Sequence, residues 1–168
     1  MHTTIMTFKD LRLGCALKEV LDQFSSLGLN IIVGTVGFEL HGALPLGYEP
    51  GDVDVYVYAD ADNYDRCNKI LYKKYNEFRE KSRSLRDLAG ISLTNKCFIF
   101  YTSQEVKANI WLRPKSEIPS RIVTMLVDGR EVNTLPLNEL YRHKISLNRQ
   151  KDLVFTIQYI KTILSKKL

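Results

Sequence analysis

The sequence predicts a protein of the α+β class with α/β character, a mixed β-sheet flanked by helices. Three observations carry this. Apolar residues recur every three or four positions at both ends of the chain, short β-branched runs lie between them, and turn-forming clusters separate the two kinds of segment. No internal repeat and no long low-complexity segment is found, which excludes a solenoid or a chain of linked modules.

The first helix is read from Phe8 to about Leu27, where Leu13, Ala16, Leu17, Val20, Leu21 and Phe24 form one apolar stripe and Gly28 is a stop. Leu29 to Val33 is a buried strand ending at Gly34, followed by a brief helix over VGFELHGAL and the turn-rich PLGYEPGD. VDVYVY is the second strand. Asp60 to Asp65 then open a helix on which Tyr64, Cys67, Leu71, Tyr75 and Phe78 keep helical spacing. ISLTNKCFIFYTS and EVKANIWLR alternate as two strands, and IVTMLVDGREVNTLPL is a hairpin turning at Asp128-Gly129. From Asn138 the pattern is helical again. It breaks near Asn148 to Lys151, and Leu153, Ile157, Ile160 and Leu164 keep one face apolar to the end.

With 168 residues, 45% hydrophobic and 26% charged, the chain is expected to form a single domain (1–168), with a core at about 29–135 and C-terminal helices at 138–168. Cys15, Cys67 and Cys97 are odd in number and widely spaced, which argues against a disulfide scaffold or a zinc site and reads as packing in a reducing compartment. No leader pattern and no run of about 18 apolar residues occurs, so a cytoplasmic protein without a membrane span is expected. The net charge of +5 is uneven. Residues 1–113 carry 14 charges of each sign, whereas residues 114–168 carry 10 basic and 5 acidic ones, so a phosphate-bearing partner would be drawn to the C-terminal third. A second basic run, Arg66 to Arg86, has eight Lys or Arg against Glu77 and Glu80, and reads as a solvated helix face or a nucleic-acid footprint.

The strongest chemical signal is Asp52-Val53-Asp54 at the head of VDVYVY. Alternation along a strand puts both carboxylates on one face, roughly 6.5 to 7 Å apart at Cα, where they can share a hard divalent cation. An exposed strand end after Pro50-Gly51 would explain them equally well. Gly34-Thr35 is the second signal: a strand leading through a small-residue turn into a helix leaves amide N–H groups for phosphate oxygens, and Thr35 adds a hydroxyl. A triphosphate held by this turn and bridged by Mg²⁺ to the two aspartates describes phosphoryl or nucleotidyl transfer.

IIVGTVGFELHGALPLGYEPGDVDVYV resembles the first signature of the DNA-polymerase-β-like nucleotidyltransferase superfamily, in which an apolar strand, a Gly-rich pair, a helix and an acid-x-acid strand follow one another. VDGREVNTLPLNELYRHKISLNRQKDL is similar to the C-terminal part of small bacterial and phage members of the AbiEii and lincosamide types. The resemblance spans roughly residues 30–60 and 105–160. It implies the nucleotidyltransferase fold and Mg²⁺-dependent (or Mn²⁺-dependent) transfer of a nucleoside monophosphate from an NTP to a hydroxyl on a nucleic acid such as RNA or tRNA, a protein or a small molecule. It further implies that Asp52 and Asp54 ligate metal, that Gly34 and Thr35 hold the triphosphate, and that Lys144, Arg149 and Lys151 face phosphates. Asp152 is either part of that element or a cap on the last helix.

One position departs from the pattern. Active members carry a third carboxylate on a later strand, and VKANIWL puts Asn109 there. An amide oxygen binds a cation but brings no charge. Glu105 lies about 13 Å along the strand, and Glu39 and Glu49 are the other candidate acids. The alternative reading is therefore a catalytically degenerate member binding nucleotide or RNA for regulation, and a third is an RNA-binding module using the helix around Lys73 to Arg86. His41 and His143 read as surface, capping or spectator histidines, the latter lowered in pKa by Lys144. Trp111 shares a face with Asn109 and is either a core residue or a stacking partner for a base.

Overall fold

The computed structural model describes residues 5–6, 8, 10–60, 62–63, 65–67, 69–70, 73 and 97–166. Among the described residues the centre is a seven-stranded mixed sheet with helices on both faces. The strands are β1 (Ile5–Met6), β2 (Leu29–Val33), β3 (Asp52–Ala59), β4 (Cys97–Tyr101), β5 (Lys107–Pro114), β6 (Val123–Val127) and β7 (Arg130–Thr134), in the order β1-β6-β7-β2-β3-β5-β4. β3 pairs antiparallel with β2 and parallel with β5, so the aspartate strand has neighbours on both sides.

The first helix, α1 (Leu11–Phe24), starts where Asp10 accepts hydrogen bonds from the amides of Arg12 (2.9 Å) and Leu13 (3.2 Å). It buries the six residues whose spacing predicts it, and they pack on Val53, Val55, Val57 and Ala59 of β3. The chain turns into β2 at Gly28, where any Cβ would run into the Tyr58 carbonyl. β2 passes directly into α2 (Gly34–Leu40), and the β6–β7 hairpin turns at Asp128-Gly129, both with φ positive (49° and 80°), as a two-residue type I′ turn requires.

The opposite face of the sheet is covered by α2, α3 (Leu137–Ser146) and α4 (Leu153–Lys166) around Ile31, Val33, Phe38, Leu140, Tyr141 and Phe155. The expected break between α3 and α4 is there, with Asn148 left-handed (φ 47°) and a 3₁₀ turn at Gln150–Asp152. An apolar helical stripe ordinarily faces the core, but in α4 the predicted stripe Leu153, Ile157, Ile160 and Leu164 faces solvent, and Phe155 and Tyr159 pack inward instead. The helix is apolar on two sides, and the larger aromatic side takes the core. Cys67 and Cys97 are buried as expected, whereas Cys15 is exposed on the outer side of α1. The described residues among 62–73 are helical, with Arg66, Lys69 and Lys73 exposed; the rest of the basic run to Arg86 and the start of ISLTNK lie outside the described residues. Among the described residues no helix is long and apolar enough to cross a membrane.

Candidate functional site

Asp52, Asp54, Tyr56 and Tyr58 occupy the face of β3 away from α1, as the period of two dictates. Register places Asp54 opposite Asn109 and Asp52 opposite Lys107 on β5. Asn109 is only 6% exposed, and its Nδ2 donates to Asp52 Oδ2 at 3.0 Å and to Asp54 Oδ1 at 2.7 Å. Both amide hydrogens are therefore used on the two carboxylates, and this fixes the orientation of the group: turned over, its Oδ1 would confront two other oxygens. The Asp54 carboxyl is pushed up from 3.8 to about 6, first by burial and then by the charge of Asp52, against the pull of Asn109, Lys144 and Lys107.

β2 ends opposite this pair, with Val33 in register with Asp54. Gly34 follows at φ 63°, and a Cβ there would collide with the Asp54 carboxylate, so the glycine is required both by conformation and by the approach of that side chain. Thr35 is buried and its hydroxyl accepts from Lys144 Nζ at 3.2 Å. Lys144 is itself buried on α3, with Nζ 5.0 Å from the Phe155 ring centroid and 3.6 Å from Asp152 Oδ1. Burial lowers its pKa, and Asp152 opposes the shift. Arg149 Nε binds the other Asp152 oxygen at 2.6 Å. Asp152, 2% exposed, is thus engaged by Arg149 and Lys144 rather than by the amides of α4.

The structure therefore brings Asp52, Asp54, Asn109, Gly34, Thr35 and Lys144 into one neighbourhood and joins Arg149 to it through Asp152. Lys151 is exposed and takes no part in these contacts. Glu105 sits in the turn before β5 at φ 58°, and its carbonyl accepts from Arg12. Glu49 is exposed. Among the described residues no group of three or more His, Cys, Asp or Glu converges, so none of the other acids supplies the missing carboxylate. His41 Nε2 lies 2.7 Å from the Leu135 carbonyl, a packing contact between α2 and the end of β7. His143 is lowered in pKa by burial first and by Lys144 second.

One residue pair further along the same face, Tyr56 is in register with Trp111, their ring centroids 5.6 Å apart and nearly perpendicular (84°). Arg113 lies over Tyr56 at 5.5 Å. These side chains are half-buried, so Trp111 belongs to the open sheet face beside the carboxylates and not to the core. Tyr56 is the residue that sequence reasoning missed, although its parity with Asp54 was legible in VDVYVY.

The residues fit a hard divalent cation. Two carboxylate oxygens converge on one point, the donors are all oxygen once the Asn109 amide is turned, and the raised Asp54 pKa marks a pair short of positive charge.

No protein-family model matches this chain, and no curated protein matches it. Among solved structures the chain is similar to the crystal structure of an antigenic nucleotidyltransferase-like protein from Paracoccidioides brasiliensis, at 16% identity and a TM-score of 0.46, over 90% of this chain and 76% of that one.

Proposed function

We propose that the residues gathered at the head of β3 and the start of α2 bind a nucleoside triphosphate together with Mg²⁺ or Mn²⁺ held by Asp52 and Asp54, and that the chain transfers the nucleoside monophosphate to an acceptor hydroxyl on RNA, tRNA or protein. The observation that carries this is the convergence of the two carboxylates beside Gly34, Thr35 and the buried ammonium of Lys144. When bound, the cation neutralises phosphate charge and polarises the reacting phosphoryl group. Lys144, held in place by Thr35 and Asp152, offers a fixed positive charge to the triphosphate in a site with little water to screen it. Arg149 reaches the same anion from the α3–α4 turn, and Lys151 adds charge from the surface. Tyr56 and Trp111 give a nucleobase an aromatic wall beside the carboxylates. The finer likeness to AbiEii-type and lincosamide-type enzymes rests on Lys144, Arg149, Lys151 and Asp152 together.

Asn109 favours a second reading, in which the same site binds nucleotide without transfer. Its amide already satisfies both carboxylates, and it brings no charge to the position where active members of the superfamily carry an acid.

The test uses the lone tryptophan. Each NTP is titrated with and without Mg²⁺ or Mn²⁺, following Trp111 fluorescence and thermal stability, in the natural chain and in Asp52→Asn/Asp54→Asn. Binding at about 100 times the dissociation constant adds about 2.7 kcal/mol of stability. A cation-dependent response lost in the double variant supports the site, and none with any nucleotide overturns it. Transfer of label from an α-labelled NTP to RNA or protein decides between the two readings.

A further inference from the structure

A side-chain amide that donates to two carboxylates takes up the oxygens a cation would use. Asn109 is buried in the middle of three strands, in register with Asp54 of β3 on one side and Ile99 of β4 on the other. Its Nδ2 gives one hydrogen to Asp52 Oδ2 at 3.0 Å and the other to Asp54 Oδ1 at 2.7 Å. The second oxygen of Asp54, Oδ2, is the atom that a Cβ at Gly34 would strike, so it lies toward the start of α2. Asp54 thus has one oxygen on the amide and the other against Gly34. Lys107, in register with Asp52, and Lys144 are near enough for their charges to act on Asp54. The chain itself supplies this pair of acids with positive charge, from two amide hydrogens and two ammonium groups.

An amide and a hard cation make opposite demands on the same oxygens. The hydrogens of Nδ2 are the positive ends of dipoles and repel a cation brought between the two carboxylates. The terminal torsion of asparagine is broad and roughly two-fold, so half a turn replaces Nδ2 by Oδ1 and makes a donor into a ligand. We propose that Asn109 is a latch on the cation site: its amide ties Asp52 to Asp54 and closes the pair to a divalent cation, and a cation binds only as Nδ2 swings away. The inference rests on the reading of Asp52 and Asp54 as the cation pair, and it adds the direction in which position 109 acts. An amide that served as a third ligand and nothing more would strengthen binding. A latch weakens it, because each binding event gives up two hydrogen bonds to charged oxygens, and the one neutral ligand gained is replaceable by water in the space that Asn109→Ala opens.

Mn²⁺ alone is titrated by calorimetry at pH 8 into the full chain, into Asn109→Ala and into Asn109→Ala/Asp54→Asn. Asn109→Ala binds at least about tenfold more tightly than the natural chain, and the added Asp54→Asn removes the gain, which locates it at this pair. Equal or weaker binding by Asn109→Ala overturns the latch and leaves the cation site standing. Mn²⁺ bound by neither protein overturns the latch together with the reading beneath it. A second measurement needs no variant to fold. The Asn109 side-chain amide of the natural chain, assigned through bonds to its own backbone, is followed by NMR as Mg²⁺ is added. Its two protons are protected from solvent exchange in chelator, and they shift and exchange faster once the cation is bound. A pair that keeps both its shifts and its protection at saturating Mg²⁺ overturns the proposal.

Discussion

Asn109 and Asp54 stand opposite each other in the parallel pairing of β3 and β5, and the Asn109 amide bridges Asp54 to Asp52 with one hydrogen for each carboxylate. The amide does part of what a cation would do, by supplying positive dipole ends to two acids about one residue pair apart on a strand. Replacing it by an acid removes both donors and adds a third charge. Asn109→Asp is therefore expected to lose about 1–3 kcal/mol of stability in chelator and to recover it in millimolar Mg²⁺, whereas the natural chain changes less between the two conditions. Thermal melts of both proteins with and without Mg²⁺ measure this; a variant as stable as the natural chain in chelator would show that the bridge contributes nothing.

The Asp54 carboxyl titrates at about 6 in the fold against an ordinary 3.8. Between those pH values the folded chain holds more protons than the unfolded one, so stability falls as pH rises through the window and stays lower above it. The loss is on the order of 3 kcal/mol. Asp54→Asn is expected to be more stable than the natural chain by about that amount at pH 7.5 and no more stable at pH 4, in denaturant titrations without divalent cation. An equal difference at both pH values would place the shift elsewhere.

Lys144 and Asp152 form a buried pair, with side chains 7% and 2% exposed. Lys144→Met leaves Asp152 with Arg149 as its remaining charged partner and is expected to cost about 3 kcal/mol, whereas Lys144→Met/Asp152→Asn costs less than the sum of the two single changes. Chemical denaturation of the four proteins closes the cycle. Additive losses would mean that the two groups do not depend on each other.

Gly34 is left-handed, and a Cβ at this position would run into the Asp54 carboxylate. Gly34→Ala pays for the left-handed backbone, about 1–2 kcal/mol, and displaces the carboxylate as well. Loss of cation-dependent nucleotide binding should therefore exceed what the stability loss explains, as read by Trp111 fluorescence at a temperature where the variant is folded. Binding at natural strength would show that Asp54 is not held by this contact.

The orientation of α4 is open to the same kind of check. Phe155→Ala is expected to cost about 3–5 kcal/mol and Leu153→Ala less than about 0.5 kcal/mol. The reverse ranking would turn the helix over.

Local rules determined most of the elements without help from the tertiary structure. The six-residue stripe of α1, the alternation of β3 and the Asp128-Gly129 turn each depend on interactions within a few residues, and the structure places them where the sequence does. The common face of Asp52, Asp54 and Tyr56 follows from strand geometry alone. The pairing of β3 with β5 does not. It joins positions 55 residues apart, and only that register makes Asn109 a donor to both acids. The ion pair that holds Lys144 in place, the collision that reserves position 34 for glycine, and the choice between the two apolar faces of α4 are decided in the same way. Each depends on which surface arrives opposite it. Periodicity tells which residues lie on one face of an element, and packing between distant elements decides which face is inside.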